Sequence, residues 1–114
     1  MEELSNFVKA AGPDGKGPRY HVMSLEDIKT EIKNFGNAAI IAQRAGFDAI
    51  ELHAGHGYLI SSFLSPAVNV REDEYGGSSE ERARFLAEVI QEVKSVTSSQ
   101  LPVIVRLDLS LIHI

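Results

Sequence analysis

The spacing of apolar positions along this chain switches between a helical and a strand period, and each switch marks an element. Ser24-Leu-Glu-Asp27 has the pattern of a helix start, with a hydroxyl N-cap and carboxylates that answer the free N–H groups of the first turn. Ile28, Ile32, Phe35, Ala39 and Ala42 then recur at three- and four-residue spacing, which puts them on one face. Gly46 supplies the left-handed position that stops a helix, so the spacing predicts one over about 25–45. From Phe47 the period drops to two. In a strand over 47–53, Ile50 and Leu52 point one way, and Ala49, Glu51 and His53 point the other. A second helix, capped by Ser78 or Ser79, is predicted over about 79–97, burying Phe85, Leu86, Val89, Ile90, Val93 and Val96. Thr97-Ser-Ser-Gln100 is the turn out of it, and Val103–Leu107 is the next strand. Upstream, Leu4–Ala11 can form a short helix, and Gly12–Pro18 reads as loop because six of its seven residues are Gly, Pro or Asp.

The order helix, strand, helix, strand predicts a parallel sheet with a right-handed crossover. A half-exposed antiparallel strand also alternates in this way, but a helix on each side of 47–53 favours the βα unit. Two strands leave both sheet edges open, and a complete βα barrel takes about 250 residues. The 114 residues are therefore expected to be a fragment of one larger α/β barrel domain. The apolar run 109–114 follows a strand with no turn signal and is expected to be a non-native tail without function.

Composition narrows the classes. A net charge of −5 and the lack of any basic stripe argue against nucleic acid as a partner. With no cysteine, disulfides and thiolate metal or iron–sulfur sites are excluded from this segment. No run approaches the roughly 20 apolar residues of a membrane helix. Glu2 and Glu3 carry the wrong sign for a secretory leader, so a soluble, cytoplasmic protein without a membrane partner is expected.

The chemistry is concentrated in Phe47-Asp-Ala-Ile-Glu-Leu-His53-Ala-Gly-His56-Gly-Tyr58, where a strand ends on an imidazole and a loop presents a second imidazole and a phenol. Active sites of α/β proteins gather at such strand ends. Three readings of His53 and His56 fit: ordinary loop or core histidines, a metal pair completed by Glu51 or Asp73, or two donors to one substrate oxygen. Tyr58 is either a proton donor or an aromatic packed on Ile60 and Phe63. Arg106, near the end of the second strand, either faces an anionic or polar ligand or pairs with Asp108 or Glu51. Arg71 and Asp73 can hold their long loop together. Gly76-Gly77-Ser78 at a helix start is a weak phosphate-site signal, since no Walker or dinucleotide pattern accompanies it.

Together these residues resemble the Old Yellow Enzyme family of FMN-dependent NAD(P)H oxidoreductases, and within it the bacterial enoate and 2,4-dienoyl-CoA reductase branch. The matching motifs are Ala45-Gly-Phe-Asp-Ala-Ile-Glu-Leu-His53, His56-Gly-Tyr-Leu-Ile60, Phe63-Leu-Ser-Pro66, Asn69-x-Arg71-x-Asp73-x-Tyr75-Gly-Gly-Ser78, Glu80-x-Arg82-x-Arg84-Phe85 and Val105-Arg106-Leu107. They span about residues 20–108. The resemblance implies a partial (β/α)8 TIM barrel running from its third helix to its fifth strand. It implies that His53 and His56 bind the oxygen of an α,β-unsaturated carbonyl or enoyl substrate. Tyr58 matches the family's proton donor, and Arg106 matches the arginine at the flavin. FMN and NAD(P)H are the implied cofactors. Ala54-Gly55 reverses the family's more usual order, and Glu81 stands where Asn is common. Neither the alkene, the choice of NADH or NADPH, nor the oligomer follows from the sequence. The other readings are a metal-dependent barrel hydrolase or lyase using His53, His56 and Glu51, and an inactive fragment.

Overall fold

The computed structural model describes residues 21–108; the predicted 4–11 helix, the 12–18 loop and the 109–114 tail lie outside the described residues. Helix α1 spans Leu25–Arg44 and strand β1 Ile50–Ala54. A short helix α2 covers Leu59–Leu64, then α3 runs Ser79–Val96 and β2 Val103–Leu107. The two strands pair in parallel, Ile50 opposite Val103 through Ala54 opposite Leu107, as the helix–strand alternation predicts.

Both long helices begin on a capping box, a mutual bond between a serine and the acid three residues on. In α1 the Asp27 N–H donates to Ser24 Oγ (3.1 Å) and the Ser24 N–H to Asp27 Oδ2 (2.8 Å). In α3 the pair is Ser78 and Glu81, at 2.8 and 3.3 Å. The Ser78 N–H bonded to Glu81 lowers that carboxyl below its ordinary range. Glu81 thus satisfies helix-start donors, a structural use for a residue that departs from the resembled pattern. At its other end α1 closes on Gly46 at φ +88°, with Gly46 N–H donating to Gln43 C=O and Phe47 N–H to Ala42 C=O. That double bond is a Schellman stop. It takes Phe47 out of the strand and leaves it exposed, so β1 starts at Ile50 instead of 47.

Helices α1 and α3 pack on each other, and their buried side chains form one apolar cluster with Leu52 and Ala54 of the sheet. Their buried stripes agree with the predicted faces: Ile28 and Ala39 from α1, and Phe85, Val89 and Val93 from α3. Gly36 is the close-approach point, since a Cβ there would meet the Glu92 side chain at 2.8 Å. The α2 turn, read from the sequence only as a loop bearing Ile60 and Phe63, buries both. Phe63 stacks on Phe85 at 4.5 Å and meets Tyr75 edge-on at 6.4 Å. From the sheet only Leu52 and Ala54 are fully buried, while Glu51, His53, Ile104 and Arg106 lie on the opposite, open side.

The 65–78 loop is long and has no regular structure, yet its polar groups are well satisfied. Asn69 donates to the carbonyls of Phe63 (2.7 Å) and Tyr75 (2.8 Å) and accepts from Arg71 N–H (3.0 Å). Arg71 forks onto Asp73 at 3.0 and 2.6 Å and reaches Met23 C=O at 2.7 Å. This joins the loop to the segment before α1, as the loop-holding reading of Arg71 and Asp73 expects. Gly76 closes against it, for a Cβ would lie 2.5 Å from Arg71 C=O. Arg82 donates to Leu64 C=O (3.0 Å) and Arg84 to Glu74 C=O (2.8 Å). Burial and a hydrogen bond to Glu88 push the Tyr75 phenol up to about 12.

Arg71→Ala removes three side-chain hydrogen bonds and is expected to lower stability by about 2–3 kcal/mol, read as the shift in denaturant midpoint. The hydrogen bond from Arg71 holds Asp73 below the usual carboxylate range. A depressed folded-state pKa stabilises fully above the unfolded value of about 3.9 and is lost as pH falls through the folded value. In acid titration the Arg71→Ala variant should therefore lose less stability below about pH 4 than the parent chain does.

Candidate active site

β1 delivers His53 to its C-terminal end, and the loop that follows turns the chain back over the same end. Gly55–Tyr58 forms a tight turn closed by Tyr58 N–H donating to Gly55 C=O (3.3 Å). Its central residues, His56 at φ +59° and Gly57 at φ +73°, are both left-handed. Glycine adopts that geometry freely, but for histidine it costs about 1 kcal/mol. The result is that three rings separated in sequence meet. His53 and His56 lie 5.0 Å apart edge to face, and His53 and Tyr58 5.4 Å apart. Tyr58 is 65% exposed, so its ring rests beside His53 and not in the core with Ile60 and Phe63. The residue opposite His53 across the sheet is Arg106. All four sequence candidates thus gather at one end of the open face.

The ion pair considered for Arg106 does not form. Asp108 accepts a hydrogen bond from the His56 backbone N–H, and its other oxygen lies 3.9 Å from His56 Nε2. Among the described residues Arg106 makes no ion pair, with Glu51 or any other acid. Sequence reasoning missed the link between Asp108 and His56. The only signal was the glycine at 55, where a Cβ would stand 2.5 Å from Asp108 Oδ1. The reversed Ala54-Gly55 order therefore has a local reason: Ala54 is fully buried, and Gly55 makes room for the carboxylate.

Two other readings change. Asp73 is committed to Arg71 and does not approach the histidines. Among the described residues no three His, Cys, Asp or Glu side chains are grouped to hold a metal ion. At Gly76-Gly77-Ser78 the capping box takes the Ser78 and Glu81 N–H groups, two of the donors a phosphate would use. The arrangement can instead offer two ring N–H donors to one oxygen with a phenol alongside, a pattern suited to charge developing on a carbonyl. Among the described residues no helix is long and apolar enough to cross a membrane.

The sequence model of the NADH:flavin oxidoreductase / NADH oxidase family matches residues 7–111. The chain is 54% identical over 88 residues to an NADPH dehydrogenase of Bacillus subtilis (strain 168), covering 77% of this chain and 25% of that protein. It is 51% identical over 84 residues to an NADPH dehydrogenase of Clostridium acetobutylicum, covering 74% and 25%. Among solved structures, histamine dehydrogenase from Rhizobium sp. 4-9 superposes with a TM-score of 0.78 at 35% identity, over 87% of this chain and 15% of that one. The chain thus spans about a quarter of the length of these curated relatives.

An unpaired Arg106 contributes nothing to the packing described, so Arg106→Gln is expected to change stability by less than about 0.5 kcal/mol in denaturant titration. A clearly larger loss would return Arg106 to a structural role.

Proposed function

Because the chain belongs to the NADH:flavin oxidoreductase / NADH oxidase family, we propose that it is part of the active site of an FMN-dependent ene-reductase. The substrate class is an α,β-unsaturated carbonyl or enoyl compound, and NAD(P)H is the hydride donor. The observation that carries this reading is the convergence of His53, His56 and Tyr58 at the end of β1, with Arg106 as the cross-strand neighbour of His53.

The residues suit a flavin. Arg106 is a cation without an ion-pair partner among the described residues, on the sheet face that the helices leave open. A guanidinium there favours negative charge on a bound ring and orients it through fixed donors. FMN, when bound, supplies the carriage of hydride from NAD(P)H to the β-carbon of the alkene.

The remaining work falls to this chain's side chains. His53 and His56 donate hydrogen bonds to the substrate carbonyl oxygen, where negative charge accumulates as hydride arrives at the β-carbon. Their ring centres lie 5.0 Å apart, so the two donors already stand beside each other before that charge appears. Tyr58 then gives its phenolic proton to the α-carbon, which completes the addition. Solvent access to Tyr58 allows the proton to be replaced.

In a full-length flavoprotein carrying this segment, replacing His53 and His56 together by Ala should weaken phenol binding by about 2–4 kcal/mol, on the scale of lost charge-assisted bonds. Titration of the long-wavelength charge-transfer band measures it, and unchanged affinity would remove both histidines from the substrate site. Tyr58→Phe should leave flavin reduction by NAD(P)H nearly intact and slow alkene reduction by about 10²-fold or more, since only the second half-reaction needs the proton. Equal slowing of both half-reactions in stopped-flow would assign Tyr58 to packing.

A further inference from the structure

We propose that Asp108 is the positioning residue for His56, holding its backbone and imidazole so that the ring stays beside His53. This rests on the reading of His56 as a ligand of the substrate oxygen. His56 is a histidine held at φ +59° in an exposed turn, and a conformation of that kind persists only where neighbouring groups impose it. Asp108 is the group that does so. One carboxylate oxygen accepts the His56 N–H, and the other lies 3.9 Å from Nε2 of the same residue.

The seat for this carboxylate is built into both strands. Asp108 directly follows β2, two residues beyond Arg106, and so stands level with the loop that leaves β1. Gly55 leaves the space it occupies, where a Cβ would lie 2.5 Å from Oδ1 and 3.0 Å from Cγ. The Asp108 side chain is less exposed than the imidazole it faces, 23% against 55%. Among the described residues His56 is the only ion-pair partner of Asp108. The site end of the sheet therefore carries two cross-strand links, His53 beside Arg106 and His56 beside Asp108. The first follows from strand register alone, whereas the second needs a carboxylate at 108 and a glycine at 55.

The test uses the full-length holoenzyme carrying this segment, with phenol as the probe and hydrogen exchange of the His56 amide as a readout independent of turnover. Asp108→Ala should speed exchange at His56 by roughly tenfold or more and raise the phenol Kd by roughly tenfold. Asp108→Asn keeps an oxygen acceptor for the N–H and should hold both within about threefold of the parent. Gly55→Ala, which fills the seat while leaving Asp108 in place, should behave like Asp108→Ala. In a His56→Ala background, Asp108→Ala should add no further loss of phenol affinity. Unchanged amide exchange in Asp108→Ala overturns the proposal. Unchanged phenol affinity does so too, provided His56→Ala itself weakens binding. Should His56→Ala have no effect on phenol, it is the assignment of His56 to the substrate oxygen that fails, and amide exchange still decides whether Asp108 holds the turn.

Discussion

The register of β1 against β2 is the constraint on which the candidate site depends. Side chains alternate across a strand with period two, so a slip of one residue would send His53 and Arg106 to opposite faces. The observed pairing puts them opposite each other and on the same side as Glu51 and Ile104. What holds the register is burial on the other side. Leu52 and Ala54 are nearly inaccessible within the apolar core cluster, and a slip would bring polar Glu51 and His53 into that layer. Hydrophobic burial on one face thus determines the chemistry available on the other.

The family motifs divide accordingly between scaffold and chemistry. Asn69, Arg71, Asp73, Tyr75, Arg82 and Arg84 spend their polar atoms on backbone groups, on one another and, for Tyr75, on the Glu88 carboxylate, within the 65–78 loop and its neighbours. A loop of that length without regular structure would otherwise leave many backbone groups unpaired. Its charges pair closely, Arg71 with Asp73, and the Arg71 guanidinium also lies 5.8 Å from the Phe63 ring centre. Among the described residues His53, Tyr58 and Arg106, at or just beyond the strand ends, have no such partners.

The location is that expected of a TIM-barrel enzyme, whose active groups sit at the C-terminal ends of parallel strands. Each strand here contributes a side chain at its end and another from the residues that follow. The arrangement is a small repeating unit of the barrel, with helices on one side of the sheet and the candidate site on the other.

Most of the fold was legible in local pattern. The two long helices, their caps and the parallel strand pair follow from apolar spacing, from serines placed three residues before acids, and from Gly46. Such signals act within a few residues, and so they survive in a linear sequence. The boundaries that were misplaced involved competition between neighbours: Phe47 suits a strand but is claimed by the Schellman stop of α1. Helix α2 was missed because six residues are too few to show a period. At the site, the residue types and their order pointed to His53, His56, Tyr58 and Arg106, and the resemblance they carried indicated the family. Only the tertiary structure decided that the three rings converge, that Arg106 stands opposite His53 without an acid, and that Asp108 turns to His56. The ring convergence is set by the left-handed His56 and Gly57 of the turn, whereas the other two are contacts made by pairing β1 with β2, strands separated by an entire helical crossover. No local preference encodes the partner of a side chain at that distance; it is decided by which faces the core buries.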